Sequence, residues 1–183
     1  TEEFFKFYRE ELIFKDARPN DAHIVLAELE KMGKLKAVIT QNIDGLHQMA
    51  GSKNVLELHG SIYDNYCVDC NREYDLDYVL ESTSTIPRCE KCDGIVRPNV
   101  VLYGEALNNR VLRQAKRAIK RADVLIVGGT SLVVYPATGL IKYFKGKDLV
   151  LINKSPTIYD RRASLVIADN IGGVLRQATR GII

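Results

Sequence analysis

No stretch of this chain is apolar for long enough to cross a bilayer as a helix, so a membrane-spanning helical protein is not expected. Charge of one sign is also scarce: 26 lysines and arginines stand against 23 acids, a net +3. The basic residues are dispersed and not interleaved with aromatics, so nucleic acid is not an expected partner. Cysteine is limited to four residues with no surplus. That usage fits a reducing compartment better than a disulfide scaffold, and a cytoplasmic location is expected. The chain opens Thr-Glu-Glu-Phe-Phe, without a methionine, and is expected to follow upstream residues. What is present is ordinary globular composition, 46% hydrophobic and 27% charged over 183 residues. That length allows one good core and a small appendage.

All four cysteines fall in one stretch, Cys67-Val-Asp-Cys70 and Cys89-Glu-Lys-Cys92. Each C-x2-C pair can form a tight knuckle, and two knuckles joined by such a spacer can bring four sulfurs onto one zinc ion. With no fifth cysteine and no histidine nearby, the site reads as closed and therefore structural, because a catalytic zinc keeps a position open. Two disulfides are the alternative, which the knuckle spacing disfavours.

Around this stretch, helical and strand patterns alternate. Residues 1–15 carry Phe4, Phe5, Tyr8 and Leu12 at helical spacing. Asn20 is placed to cap a second helix running to Met32, with Gly33 as its stop, and His23 reads as a packed or capping residue. Short apolar runs at Leu35–Ile39, Val55–Leu58, Val96–Leu102, Asp123–Gly129, Leu149–Ile152 and Leu165–Ile167 have the length of buried strands. The basic helix from Asn108 to Ala122 has an apolar face, and its charge reads as solvated surface. Alternation of this kind predicts an α/β fold with a mainly parallel sheet covered by helices on both faces. Ligands in such folds bind beyond the carboxyl ends of the strands. Polar clusters sit there at Gln41–Asp44, His59, Tyr103–Glu105, Thr130–Ser131 and Asn153–Ser155.

His59 is the general-base candidate, since it follows a buried strand and precedes a glycine that permits close approach. Gln41, Asn42 and Asp44 carry groups suited to a ribose or a carboxamide, or equally to capping the helix that follows. Gly128-Gly129-Thr130-Ser131 can turn backbone amides and hydroxyls toward a phosphate or a ribose, although many strand-to-helix turns look like this.

Five stretches in order, Thr40-Gln-Asn-Ile-Asp-Gly-Leu-His47, Leu56-Glu-Leu-His-Gly60, the two C-x2-C pairs, Arg97-Pro-Asn-Val-Val-Leu-Tyr-Gly-Glu105 and Gly129-Thr-Ser-Leu-Val-Val-Tyr-Pro136, together resemble the sirtuins. These are NAD-dependent protein lysine deacylases, and the detailed wording is similar to bacterial members of the undifferentiated class. The resemblance implies a Rossmann-like NAD-binding domain over residues 1–60 and 99–183 and an inserted zinc-ribbon module over 61–98, with residues 1–18 helical and assignable to the small domain. It implies an NAD co-substrate, one structural zinc held by Cys67, Cys70, Cys89 and Cys92, and an acyl-lysine protein or peptide as partner.

Carried over by residue, the resemblance makes His59 the base that activates a ribose hydroxyl, with Asn42 beside it in catalysis. Gln41 and Asn42 fall at the nicotinamide ribose, and Ile43 and Asp44 at the nicotinamide pocket. Gly129, Thr130, Ser131, Asn153, Lys154 and Ile171 complete the cofactor contacts. Val101 would offer its carbonyl to the acyl-lysine nitrogen, while Gly104, Glu105, Val134 and Tyr135 pair with the substrate peptide. The chemistry implied is attack of the acyl oxygen on the NAD ribose, loss of nicotinamide and release of lysine and O-acyl-ADP-ribose. A non-catalytic module binding NAD, ADP-ribose or a partner protein is the competing reading.

The family pattern begins with a strand and a glycine-rich loop, GAGxSxxSGIPDFR, and no such stretch occurs here. Without that strand the neighbouring strands are expected to leave backbone groups unpaired, and residues 1–183 on their own are expected to bind NAD poorly and to show little or no activity.

Overall fold

The structure is a computed structural model that describes every residue from Thr1 to Ile183. In chain order the elements are α1 (Glu2–Phe7), a π-helical turn (Tyr8–Leu12), α2 (Asp21–Lys31), β1 (Val38–Thr40), α3 (Leu46–Met49), β2 (Val55–Glu57), β3 (Gly60–Cys67), β4 (Glu73–Tyr74), α4 (Leu76–Glu81), β5 (Val96–Val100), α5 (Asn109–Arg121), β6 (Val124–Gly128), a 3-10 helix (Ala137–Tyr143), β7 (Asp148–Ile152), a short 3-10 turn (Asp160–Arg162), β8 (Leu165–Ile167) and α6 (Ile171–Ala178). They form two compact units. The first comprises Thr1–Ala17, Asn42–Gly45 and His59–Ala106, and the second Arg18–Gln41, Leu46–Leu58 and Leu107–Ile183.

In the second unit β6, β7 and β8 run parallel, with β7 central. Side chains alternate across the two faces of a strand, and β7 is apolar on both. Leu149 and Leu151 point into a core with Leu132, Ile141 and Tyr159, while Ile152 packs with Ala22, Val25 and Leu175 from α2 and α6. Burial of a residue such as Leu151 or Val25, neither of them accessible to solvent, contributes about 1.5–3 kcal/mol. Helix α2 starts where the sequence predicts. The Asn20 side chain accepts from the Ala22 and His23 N–H groups, and the His23 ring takes the Asn20 N–H in return, a capping box that accounts for that histidine. Asn108 and Asn170 cap α5 and α6, each side chain accepting two backbone N–H groups without a return bond.

The parallel strands do not form one continuous sheet. β1 pairs with β2 alone, and β6 is paired only to β7. Val124 and Ile126 on edge strand β6 are correspondingly exposed. The Gln41 amide, just past β1, nevertheless donates to Thr130 Oγ1, just past β6, at 3.3 Å. The carboxyl ends of the two parallel pieces are thus tied by side chains although their strands are not hydrogen-bonded together.

The first unit is built on the antiparallel sheet β4-β3-β5, whose β3–β5 register shifts between Ser61 and Asn65. Its core gathers Tyr8, Ile62, Cys67, Leu76, Val79, Cys89, Val96 and Val100. The amphipathic N-terminal segment is shorter and less regular than predicted: α1 passes into the π-helical turn and the helix ends before Ile13. Arg9 from that turn donates to the carbonyls of Val79, Ser84 and Thr85, which satisfies acceptors at the end of α4 and in the loop beyond it. β5 also departs from expectation. It is antiparallel to β3, so the cluster Tyr103–Glu105 does not lie at the end of a parallel strand. Apolar composition marks a strand without saying which strand it will meet, and here the partner is set by the return of the chain after the cysteines.

Candidate functional site

The four cysteines converge. Cys67 and Cys92 Sγ lie 3.5 Å apart, Cys70 and Cys89 Sγ 3.6 Å apart, and all four within 4.8 Å of one another, with no disulfide formed. Tetrahedral Zn–S bonds of about 2.3 Å place sulfurs about 3.8 Å apart, so the cage fits zinc. The two knuckles repeat one backbone design. The Asn71 and Asp93 N–H groups donate to the Cys67 and Cys89 carbonyls, and the Cys67 and Cys89 N–H groups donate to the Arg72 and Gly94 carbonyls. Asn71 and Asp93 both adopt positive φ, 56° and 60°, a conformation that short polar side chains tolerate. Gly94 is pressed against the cage, since a Cβ there would stand 2.8 Å from Cys67 Sγ. Four sulfurs saturate the ion and leave no position for substrate, which fits a structural role. A hydrogen bond from the Tyr74 hydroxyl pulls the Cys89 thiol down to about 6.

Elsewhere in the first unit, His59 stands half-buried at the start of β3. Its carbonyl accepts the Val101 N–H at 2.9 Å, so the proposed base and the proposed acyl-lysine contact are bonded neighbours. The next residue must be glycine: Gly60 has φ 77°, and a Cβ would fall 1.7 Å from the Asn99 carbonyl oxygen. The Ile43 carbonyl accepts from the Ile62 N–H, and the Asn42 amide donates to Asp44 at 3.2 Å. Gly104 and Glu105 lie in a turn closed by a clamp that sequence reasoning missed. Arg97 holds both Glu105 carboxylate oxygens, at 2.8 and 3.1 Å, and reaches the Val100 carbonyl, while Glu105 also accepts the Leu102 N–H. The Arg97 guanidinium, seconded by that N–H, holds the Glu105 carboxyl below its ordinary range. Arg97 and Glu105 open and close one sequence stretch, which was the available signal; for Tyr74 there was none beyond its closeness to the cysteines.

In the second unit the remaining site residues collect at the carboxyl ends of β6, β7 and β8. Gly129, with φ 65° and open space where a Cβ would be, leads to Thr130, whose N–H donates to Asn153 Oδ1 at 2.9 Å. Asn153 Nδ2 is buried with no partner. Ser131 and Lys154 are exposed, and Ile171 begins α6, where its side chain fills the space a Cβ on Gly128 would take. An open glycine turn beside a buried amide donor without an acceptor fits a polar ligand such as a nucleotide. Val134 and Tyr135 are exposed, but the Val134 carbonyl already accepts both the Thr138 N–H and its hydroxyl.

These features define a Rossmann-like α/β protein with a four-cysteine zinc-ribbon module. A family model described as Sir2 family matches residues 1–136. An NAD-dependent protein deacetylase of Clostridium acetobutylicum is 65% identical over 175 residues, covering 96% of this chain and 71% of that protein. A protein of the same name from Cutibacterium acnes is 51% identical over 181 residues, covering 99% and 73%. Among solved structures, Sir2 with a p53 peptide and NAD+ superposes with a TM-score of 0.92 at 43% identity, covering 100% of this chain and 79% of that one. Sir2 bound to acetylated peptide gives 0.91 at 41% identity, with 98% and 78% covered. The chain belongs to the Sir2 family. No helix is long and apolar enough to cross a membrane.

Proposed function

We propose that this protein is an NAD-dependent protein lysine deacetylase that transfers the acyl group of an acyl-lysine to ADP-ribose with release of nicotinamide. The observation that carries the reading is the bond between the His59 carbonyl and the Val101 N–H, which keeps a base and a substrate-holding residue side by side. Relatives bearing the deacetylase name support it, as does a Sir2 structure containing 2'-O-acetyl-ADP-ribose and a deacetylated p53 peptide.

NAD supplies, when bound, an electrophilic ribose carbon and the nicotinamide leaving group. His59 accepts the proton of a ribose hydroxyl so that the oxygen can take over the acyl group. Gln41 and Asn42 orient that ribose through their amides, and Ile43 and Asp44 bound the nicotinamide end. Thr130, Ser131, Asn153 and Ile171 hold the adenosine half, with Asn153 Nδ2 as a donor ready for an acceptor, and Gly129 and Lys154 add to the cofactor contacts. Val101 accepts the acyl-lysine N–H on its carbonyl. Gly104, Glu105, Val134 and Tyr135 border the peptide, whose backbone meets groups other than the Val134 carbonyl, already bonded to Thr138. Cys67, Cys70, Cys89 and Cys92 hold zinc, which shapes the module that carries His59 and Val101 and takes no part in the chemistry. Four free thiols gathered for a metal suit the cytoplasm.

The test is nicotinamide release from NAD in the presence of an acetyl-lysine peptide, compared between the protein and His59→Ala. Whatever the absolute rate, the variant is expected to be slower by about 100-fold or more. Equal rates would remove His59 from the mechanism.

A further inference from the structure

The zinc cage is not uniform, and the difference between its ligands has a chemical consequence. Cys67 and Cys89 are buried while Cys92 is exposed. The Tyr74 hydroxyl donates to Cys89 Sγ at 3.1 Å, and the Lys91 N–H approaches the same sulfur at 3.4 Å. Tyr74 is itself held from three sides. The Glu90 N–H donates to its oxygen at 3.1 Å, the Tyr78 ring packs on it at 4.2 Å, and the Arg72 guanidinium lies 5.4 Å above its ring while pairing with Glu90. Tyr78 is in turn tied through its hydroxyl to the Arg88 carbonyl, next to Cys89.

Four thiolates around one dication carry a net double negative charge. Hydrogen bonds to the sulfurs spread that charge, and a ligand so bonded is less open to protons and electrophiles. The chain Glu90 N–H to Tyr74 O–H to Cys89 Sγ delivers such a bond to one ligand, with the phenol polarised by the amide behind it.

We propose that Tyr74 is a positioning residue for the zinc site: its hydroxyl locks Cys89 as a ligand, so that the metal is released from the Cys92 side. The zinc-bearing knuckles then have a fixed end and an opening end, and the exposed thiol sets how fast metal is lost to a chelator or to an oxidant.

The experiment compares the full chain with Tyr74→Phe and Tyr78→Phe. Tyr74→Phe keeps the ring and removes one oxygen, and its apparent zinc affinity, read by competition with a chromogenic chelator, is expected to fall about 10- to 100-fold. In the cobalt-substituted protein its sulfur-to-metal charge-transfer bands are expected to shift. Tyr78→Phe, which removes a hydroxyl bonded to the Arg88 carbonyl and not to a sulfur, is expected to stay within about threefold of the parent on the same scale. Affinity and spectrum unchanged in Tyr74→Phe overturn the proposal, and so does equal weakening in the two variants. A second measurement needs no variant. In the zinc-loaded parent, alkylation followed by peptide mapping is expected to mark Cys92 first and Cys89 last, and Cys89 modified as early as Cys92 would count against the lock.

Discussion

The two units of this protein hold themselves together by different means. The second unit relies on conventional burial: a β7 that is apolar on both faces, sandwiched by Leu132, Ile141 and Tyr159 on one side and by α2 and α6 on the other. The first unit has a small antiparallel sheet, and two of its core residues, Cys67 and Cys89, are themselves metal ligands. Core and metal site there share Cys67 and Cys89, so that removing the ion also loosens the core. In the second unit no single interaction has that weight.

The strongest way to break this contrast is to remove the metal. Structural zinc contributes on the order of 10 kcal/mol in small zinc-folded peptides. Chelation, or Cys70→Ser, is expected to abolish amide protection across residues 60–100 while β6, β7 and β8 remain protected in hydrogen exchange. Loss of protection in both units together would erase the distinction. Next in size is Leu151→Ala, which empties a fully buried position in β7 and should lower the stability of the second unit by about 2–5 kcal/mol, measured by denaturant unfolding, without changing zinc content.

Gly60→Ala sharpens the comparison within the first unit. A methyl 1.7 Å from the Asn99 oxygen forces the backbone apart where His59 meets Val101. Stability should drop by about 1–3 kcal/mol, while nicotinamide release falls about 100-fold because the proposed base His59 is displaced. Zinc retained at one equivalent would separate this from metal loss. The smallest effect is expected from Glu105→Gln. The clamp to Arg97 is part-exposed, with 39% of the Glu105 side chain accessible, so its contribution to stability stays under about 1 kcal/mol. Its readout is a few-fold rise in KM for the peptide with kcat unchanged. Because Arg97 depresses the Glu105 carboxyl, the clamp is complete above the ordinary glutamate value of about 4.3 and is lost as pH falls through the lower folded-state value.

Features that depend on neighbours along the chain were legible in the sequence. Asn20 caps the helix it precedes, and β8 occupies the residues its apolar run predicts. The cysteine spacing announced the cage, and the Asn or Asp directly after each pair is the residue that takes positive φ. What was not legible depends on partners far away in sequence. The antiparallel pairing of β5 with β3, the division of the parallel strands into two pieces, the Arg97–Glu105 clamp and the Tyr74 bond to Cys89 all arise from which surfaces meet.

The sequence by itself thus determined most of the helices and strands and the four cysteines of the cage, because turn geometry, capping and ligand chemistry act over a few residues. Only the tertiary structure decided that His59 shares a hydrogen bond with Val101, that Gly60 lies against Asn99, and that one cysteine of four carries a phenolic donor. Those contacts join segments about 15 to 42 residues apart in the chain, and pairing over such distances follows from packing a whole core, which no local pattern encodes.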